Sequence, residues 1–203
     1  IVGSGPAGIA LALKLEKKKI NCLILEAGEE EVSYESQDFY KGEVVGLWPK
    51  NLTALRLRQF GGTTGHWGGS CRTLDSYDFN EWPIQKDDLD KYLDQASEIL
   101  NIKKGLFIDE EVTNETKKIE WRTSDVRFYE KYYNYIVKSK NIFLALNTSL
   151  LNFEFKKNKV SSIICRNRYR RNFKIKTKFY ILATGGIENS RILKWSVFKS
   201  KKK

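Results

Sequence analysis

Three glycine-rich stretches bring together residue types whose spacing could do chemistry. The first is Ile1-Val2-Gly3-Ser4-Gly5-Pro6-Ala7-Gly8. It reads as the end of a buried strand, a glycine turn and the first turn of a helix. In such a turn Gly3 permits the tight bend, and Gly5 lets an anion approach the backbone with no Cβ in the way. Gly8 lets the helix lie close to the strand. The free N–H groups and the helix dipole favour a pyrophosphate. Further on, the apolar run Cys22-Leu23-Ile24-Leu25 ends in Glu26-Ala27-Gly28. A carboxylate at the end of a second strand can accept both hydroxyls of a ribose. Strand, loop, helix, strand and acid follow in the order of a dinucleotide-binding unit.

The second stretch is Arg58-Gln59-Phe60-Gly61-Gly62-Thr63-Thr64-Gly65-His66-Trp67-Gly68-Gly69-Ser70-Cys71, with His66 the only histidine. So many glycines exclude an ordinary helix or strand and bring backbone against a ligand, with N–H groups and threonine hydroxyls free to donate. An imidazole that merely hydrogen-bonds in a loop is the plain alternative, and no neighbouring ligand set suggests a metal. In the third stretch the apolar strand Phe179-Tyr180-Ile181-Leu182-Ala183 runs into Thr184-Gly185-Gly186. It brings bare backbone to the carboxyl edge of a parallel sheet, where ligands bind.

The elements around these stretches must position them. Ala7 to Lys18 reads as a crossover helix ending in basic residues. From Glu29 a polar loop with no regular element is expected until Leu55. Leu89, Tyr92, Leu93, Ala96, Ile99 and Leu100 recur at helical spacing, which predicts one amphipathic helix capped by Asp87 or Asp88. A second helix over Arg127 to Lys138 is expected to pack through its tyrosines. From Asn141 the period changes to two, with strands expected at Ile142–Leu146, Leu150–Phe155, Val160–Arg166 and Phe173–Lys176. Lys157-Asn158-Lys159 turns between the second and third of these. A helix follows from Ile187 to Trp195.

Bulk properties bound the rest. A chain of 203 residues with 41% hydrophobic content is globular and can bury a sizeable core. The absence of methionine and a first strand of only Ile1-Val2 suggest a fragment lacking residues at its N-terminus. Lys+Arg 36 against Asp+Glu 25 gives +11, concentrated late: Arg166 to Lys203 holds thirteen basic residues and one acid, Glu188. A solvated lysine-rich surface with a frayed Lys201-Lys202-Lys203 end is favoured over a patch for nucleic acid, an anionic membrane or an acidic partner, and no nucleic-acid motif accompanies it. Cys22, Cys71 and Cys165 match no disulfide or zinc spacing, and Cys22 and Cys165 read as small core residues. That usage fits a reducing, cytoplasmic compartment, with a periplasmic one left open. No apolar stretch is long enough to be a transmembrane segment.

Taken together, the three stretches resemble the glucose–methanol–choline (GMC) flavin oxidoreductases. GSGPAGIALA with LEAG looks like the family's FAD-binding βαβ unit, GGTTGHWGG like its signature near the flavin ring, and ILATGGIENSRIL like its return to the FAD pyrophosphate. DFNEWPIQKDDLDKYLDQA is similar to a segment of the sugar- and polyol-oxidising branch, which includes pyranose oxidase and gluconate dehydrogenase-like members. The resemblance implies an α/β, Rossmann-like FAD-binding domain with a parallel sheet and a β-meander. It further implies helices inserted at about 70–140 and a substrate domain largely missing from the chain. Carried over by position, Gly3, Gly5, Pro6, Ala7 and Gly8 would hold the pyrophosphate and Glu26 the adenosine ribose. Arg58, Gly61, Gly62, Thr63, Thr64, Gly65, His66, Trp67 and Gly68 would run along the flavin. Leu150 would meet adenine through its backbone. Ala183, Thr184, Gly185 and Gly186 would close over the phosphates, with Asn189 nearby.

His66 falls where some members attach the flavin 8α-methyl covalently, so the resemblance implies either such a bond or a noncovalent imidazole beside the flavin. The implied reaction is oxidation of the CH–OH group of a small-molecule alcohol or sugar by hydride transfer to flavin N5. Oxygen, a quinone or a cytochrome would be the electron acceptor. The family's catalytic base is a histidine near the C-terminus. The chain holds no second histidine, so no catalytic residue is assigned. A flavin- or NAD-dependent reductase of another branch and a non-catalytic FAD-binding remnant are the rival readings.

Overall fold

The computed structural model describes residues 1–46 and 51–201. The polar-loop expectation for positions 47–50 and the frayed end at 202–203 fall outside the described residues. The chain divides into two compact units, Ile1–His66 with Arg127–Lys203, and Trp67–Val126.

The first unit is built on parallel strand pairing. Strand β1 (Cys22–Leu25) pairs in parallel with β2 (Ile142–Ala145), Cys22 opposite Ile142 and Leu25 opposite Ala145. On the other side of β1 lies the segment Ile1–Gly3, whose Val2 bridges in parallel both to Leu25 and to Leu182. The bonds Gly3 N–H to Leu25 O (2.8 Å), Val2 N–H to Ile181 O (2.8 Å) and Ala183 N–H to Val2 O (2.8 Å) knit these segments. The spatial order is therefore 142–145, 22–25, 1–3, 181–183, all parallel. Helix α1 (Pro6–Lys17) makes the first crossover. This is the α/β arrangement with a parallel sheet that the motif order leads one to expect. The strand expected over 179–183 is present only as a single bridge at Leu182, held by the two bonds to Val2.

The β-meander follows as β3 (Thr148–Lys156), β4 (Lys159–Asn167) and β5 (Asn172–Ile175), antiparallel in that order. Its inner face shares one core with the parallel segments: Val2, Leu25, Leu150, Phe153, Ile163, Cys165 and Ile192 are buried together. Cys165 is fully buried as expected, whereas Cys22 is only half-buried at the start of β1. The loop from Glu29 holds more structure than expected. Helix α2 (Tyr34–Gln37) forms because the Ser33 hydroxyl accepts the Ser36 N–H, and α3 (Leu52–Leu55) because the Asn51 side chain accepts the Thr53 N–H. Helix α4 (Phe128–Lys138) packs through Phe128 and Ile136, and Tyr133 meets Phe60 edge-on at 5.3 Å. Helix α5 (Gly186–Ser200) lies on β3, where the buried Ser196 hydroxyl accepts the Phe153 N–H.

The second unit is held by polar ties across short strands. Ser70–Cys71 pairs with Arg122–Thr123, and Glu110–Glu111 with Lys117–Lys118. Arg72 makes a forked pair with Asp109 (2.7 and 2.8 Å), and Arg122 donates to the carbonyls of Lys103, Gly105 and Leu106. The single amphipathic helix expected here is two, Lys86–Asp90 and Leu93–Leu100, interrupted at Lys91-Tyr92. Its N-cap is Gln85 and not Asp87 or Asp88; the Asp88 side chain instead reaches back to accept the Gln85 N–H at 3.1 Å.

Candidate dinucleotide site

The carboxyl edge of the parallel sheet gathers the Gly3–Gly5 turn, Glu26–Gly28, Asn147-Thr148 and Thr184–Gly186. Two glycines are there for packing. A Cβ on Gly3, which sits at φ +101°, would come within 2.4 Å of Ala183 O, and one on Gly8 within 2.1 Å of Gly3 O. Gly5 differs, since a Cβ there would have no protein atom within 4 Å. Gly5 is also the N-cap of α1, with no side chain capping the helix and Pro6 at its first position. The amides of Ala7 and Gly8 in that first turn have no helical acceptor. The space beside Gly5 is open to an anion, and the helix end supplies donors for it.

The second glycine stretch is laid directly on this turn. Gly61 N–H donates to Ser4 O at 3.0 Å, and a Cβ on Gly62 would lie 3.2 Å from Gly5 Cα. Phe60 N–H donates to Glu29 O at 2.7 Å, which ties the same stretch alongside the Glu26–Gly28 turn. The threonines are less free than expected. Thr64 is buried, gives its proton to Gly61 O (2.8 Å) and accepts the Phe128 N–H (3.2 Å), so its hydroxyl works as a cap for α4. Thr63 is exposed, and its hydroxyl accepts from Leu57 N–H at 3.4 Å. His66 is exposed with Nε2 3.1 Å from Ala54 O, an arrangement that suits an Nε2–H tautomer with Nδ1 as the acceptor. Trp67 and Gly68 belong to the second unit, where Trp67 Nε1–H donates to Val126 O at 3.1 Å.

Glu26 is 6% exposed. Its Oε2 accepts from Ser4 N–H (3.0 Å) and Ser4 Oγ–H (2.6 Å), and its Oε1 accepts from Gly28 N–H (2.8 Å). A carboxylate offers about four acceptor positions, so one is left, on Oε1. Burial pushes the Glu26 carboxyl above its ordinary range, against the Ser4 and Gly28 bonds and the Arg58 charge. The same surroundings push the Tyr40 phenol up to about 12, burial first and Glu26 next.

Arg58 is 9% exposed and donates to the hydroxyls of Ser36 (2.6 Å) and Ser149 (2.8 Å), with its guanidinium 4.7 Å from the Phe39 ring centre. Among the described residues no carboxylate lies at ion-pair distance from it. Burial lowers its pKa, and Tyr40 and Glu26 oppose that. A guanidinium so enclosed, facing neutral partners, has capacity for a further anionic or polar acceptor.

At the opposite side of the edge, Thr184 N–H and Oγ–H both donate to Asn189 Oδ1 (2.9 and 2.7 Å). Asn189 thus ties the turn into the first turn of α5. Gly185, at φ +81°, and Gly186 leave open space where side chains would stand. Ala183 is held to Val2, and the Leu150 side chain is in the core while its backbone pairs opposite Cys165. Reading the sequence did not single out Ser4, Ser36, Ser149 or the Arg56–Glu188 pair (3.0 Å), which joins the 50s segment to α5. Burial pushes the Glu188 carboxyl up, but the bonds from Arg191 and Arg56 outweigh it and hold it below its ordinary range. Only the middle residue of the glycine fingerprint, Ser4, carried any local signal.

No family model and no curated protein matches the chain. Among solved structures, one similar chain is pyridoxine 4-oxidase from Mesorbium loti, at 14% identity and TM-score 0.47, covering 87% of this chain and 47% of that one. Another is a myxobacterial chondrochloren halogenase, described as a variant of FAD-dependent halogenases, at 13% identity and TM-score 0.44, covering 91% and 36%. This chain therefore spans less than half the length of either. With both scores below 0.5, the architecture rests on the strand pairing given above.

Proposed function

We propose that this chain is the FAD-binding part of a flavin-dependent oxidoreductase of the GMC type, acting on the CH–OH group of an alcohol or sugar. The observation that carries the reading is the open space at Gly5: an uncapped helix N-terminus with the Gly61-Gly62 backbone laid beside it. The residues present fit the cofactor. The amides of Ala7 and Gly8 and the Gly185-Gly186 backbone would take the pyrophosphate. Glu26 would accept a ribose hydroxyl through its remaining position, and Arg58 would stand beside it as an enclosed cation.

The chemistry FAD supplies when bound is acceptance of a hydride from the alcohol carbon. What the chain's own residues do is bind and orient. The Arg56–Glu188 pair holds the 50s segment to α5, and the Gly61–Ser4 bond holds the flavin-side stretch to the phosphate turn. With Nε2 bonded to Ala54 O, His66 would offer Nδ1, which could bond covalently to the ring or remain beside it. An NAD-dependent reductase is the competing reading, because the glycine turn and Glu26 suit either dinucleotide.

Titration of the full chain with FAD and with NAD, followed by flavin fluorescence and by calorimetry, tests the reading. Saturable FAD binding that Gly5→Val removes, with the melting curve kept, is expected. Binding of NAD alone, or FAD binding indifferent to Gly5→Val, would overturn it.

A further inference from the structure

From Arg166 to Lys178 the chain carries Arg166, Arg168, Arg170, Arg171, Lys174, Lys176 and Lys178 and no acidic residue. This run forms the end of β4, the β4–β5 turn, β5 and the three residues after it, and all seven basic residues are exposed. Lys174 pairs with Glu154 at 2.7 Å. Among the described residues the other six have no carboxylate at ion-pair distance. Arg166 Nε–H donates to Asn172 Oδ1 across the strands. Six of the seven cations are therefore left without an ion pair by the fold that displays them, with Glu29 acting on Arg168 at longer range.

The turn is ordered by its own bonds. Asn167 N–H donates to Arg171 O (3.1 Å), Arg170 N–H to Asn167 O (3.0 Å), and Arg171 N–H to Asn167 Oδ1 (3.1 Å). Arg170 occupies the left-handed region at φ +59°, where glycine or asparagine would be easier. At the tip Tyr169 is 67% exposed, with the Arg168 guanidinium 4.8 Å from its ring centre and donating to its hydroxyl. An ordered, exposed turn thus presents an aromatic ring among cations.

We infer that the β4–β5 hairpin docks on an anionic phospholipid surface. Charge complementarity selects an anionic partner, and cations close to such a surface each add to the attraction. The shape selects a membrane over a nucleic acid. A tyrosine tip suits the headgroup layer, where aromatic rings gather, and no nucleic-acid-binding motif accompanies the charge. Among the described residues no helix is long and apolar enough to cross a membrane, so attachment would be peripheral. The site lies on the meander and is independent of the dinucleotide reading.

The test is sedimentation of the full chain with phosphatidylcholine vesicles and with vesicles of phosphatidylcholine and phosphatidylglycerol at about 7:3. Binding to the mixed vesicles only, weakening several-fold between about 50 and about 300 mM salt, is expected. Arg168→Glu/Arg170→Glu/Arg171→Glu should weaken it by about tenfold or more. Lys18→Glu/Lys138→Glu/Lys140→Glu makes the same change in net charge elsewhere and should weaken it far less. Circular dichroism melting establishes that both triple variants fold. No preference for the anionic vesicles, equal losses in the two variants, or displacement from vesicles by a single-stranded oligonucleotide at equal charge concentration would each overturn the inference.

Discussion

The Gly61 N–H donates to the Ser4 carbonyl over 3.0 Å and joins two glycine stretches that the sequence keeps far apart. Beside this bond, the missing side chains of Gly5 and Gly62 do different work. Gly62 lacks one because Gly5 is in the way, and Gly5 lacks one although nothing in the protein is. A glycine demanded by packing and a glycine facing open space can be told apart by substitution.

Gly3→Ala and Gly8→Ala would each drive a methyl group into a backbone carbonyl, and a loss of about 3 kcal/mol or more is expected for each. Gly5→Ala meets no atom and has an ordinary φ of −68°, so its cost to the fold should stay under about 1 kcal/mol. Its FAD affinity should nevertheless fall by about tenfold or more, since the methyl group takes the anion's place. Urea unfolding beside FAD titration separates the three; a Gly5→Ala protein as unstable as Gly3→Ala would count against this division.

Glu26 gives a pH signature with a definite sign. Its carboxyl, raised by burial above the ordinary 4.5, favours the folded chain fully below that value and loses the contribution as pH rises through the raised value. Stability of the wild type relative to Glu26→Gln should therefore decline as pH is stepped upward from about 4.5. Chemical denaturation of both proteins at each pH gives the difference; a difference that rises with pH would mean the Ser4 and Gly28 bonds dominate after all.

The Arg56–Glu188 pair, with both side chains 15% exposed, should show coupling where surface pairs do not. A double-mutant cycle with Arg56→Gln and Glu188→Gln is expected to return about 1–2 kcal/mol. Because the pair ties the 50s segment to α5, each single variant should also weaken FAD binding. Coupling near zero would leave the pair without a structural role.

His66 separates the two modes of flavin attachment. Acid precipitation of FAD-loaded protein should carry the yellow colour into the pellet if Nδ1 bonds to the ring, and His66→Ala should release it to the supernatant. Colour in the supernatant from the wild type would leave His66 as a noncovalent neighbour.

Local features were legible in the sequence because their causes are local. The Gly3–Gly8 turn, the acid ending β1 and the period-two strands of the meander each follow from a few neighbouring residues. The polar cap on α2 by Ser33 has a local cause too, but a helix of four residues leaves no period to recognise. The break at Lys91-Tyr92 lies inside an unbroken apolar spacing and could not be read from it. The rest depends on residues distant in the chain. Thr64 spends its hydroxyl on Phe128, Arg58 meets Ser149, and Arg56 meets Glu188. Spacing says nothing of such partners, so the threonine hydroxyls read as free, Arg58 reads only as a flavin-side residue, and Arg56 is not singled out at all.

The segment Ile1–Gly3 touches residues 23–25 on one side and 181–183 on the other. During synthesis the first neighbour follows within about two dozen residues, but the second emerges only after the second unit and most of the first. Until then Val2 has one sheet partner, and the Gly3 turn has no Ala183 to rest against. The Gly3 turn, made well before residues 181–183, is thus among the last features of the first unit to acquire its final shape. Contacts of such long sequence separation slow folding, and a cofactor arriving early would find the turn unfinished.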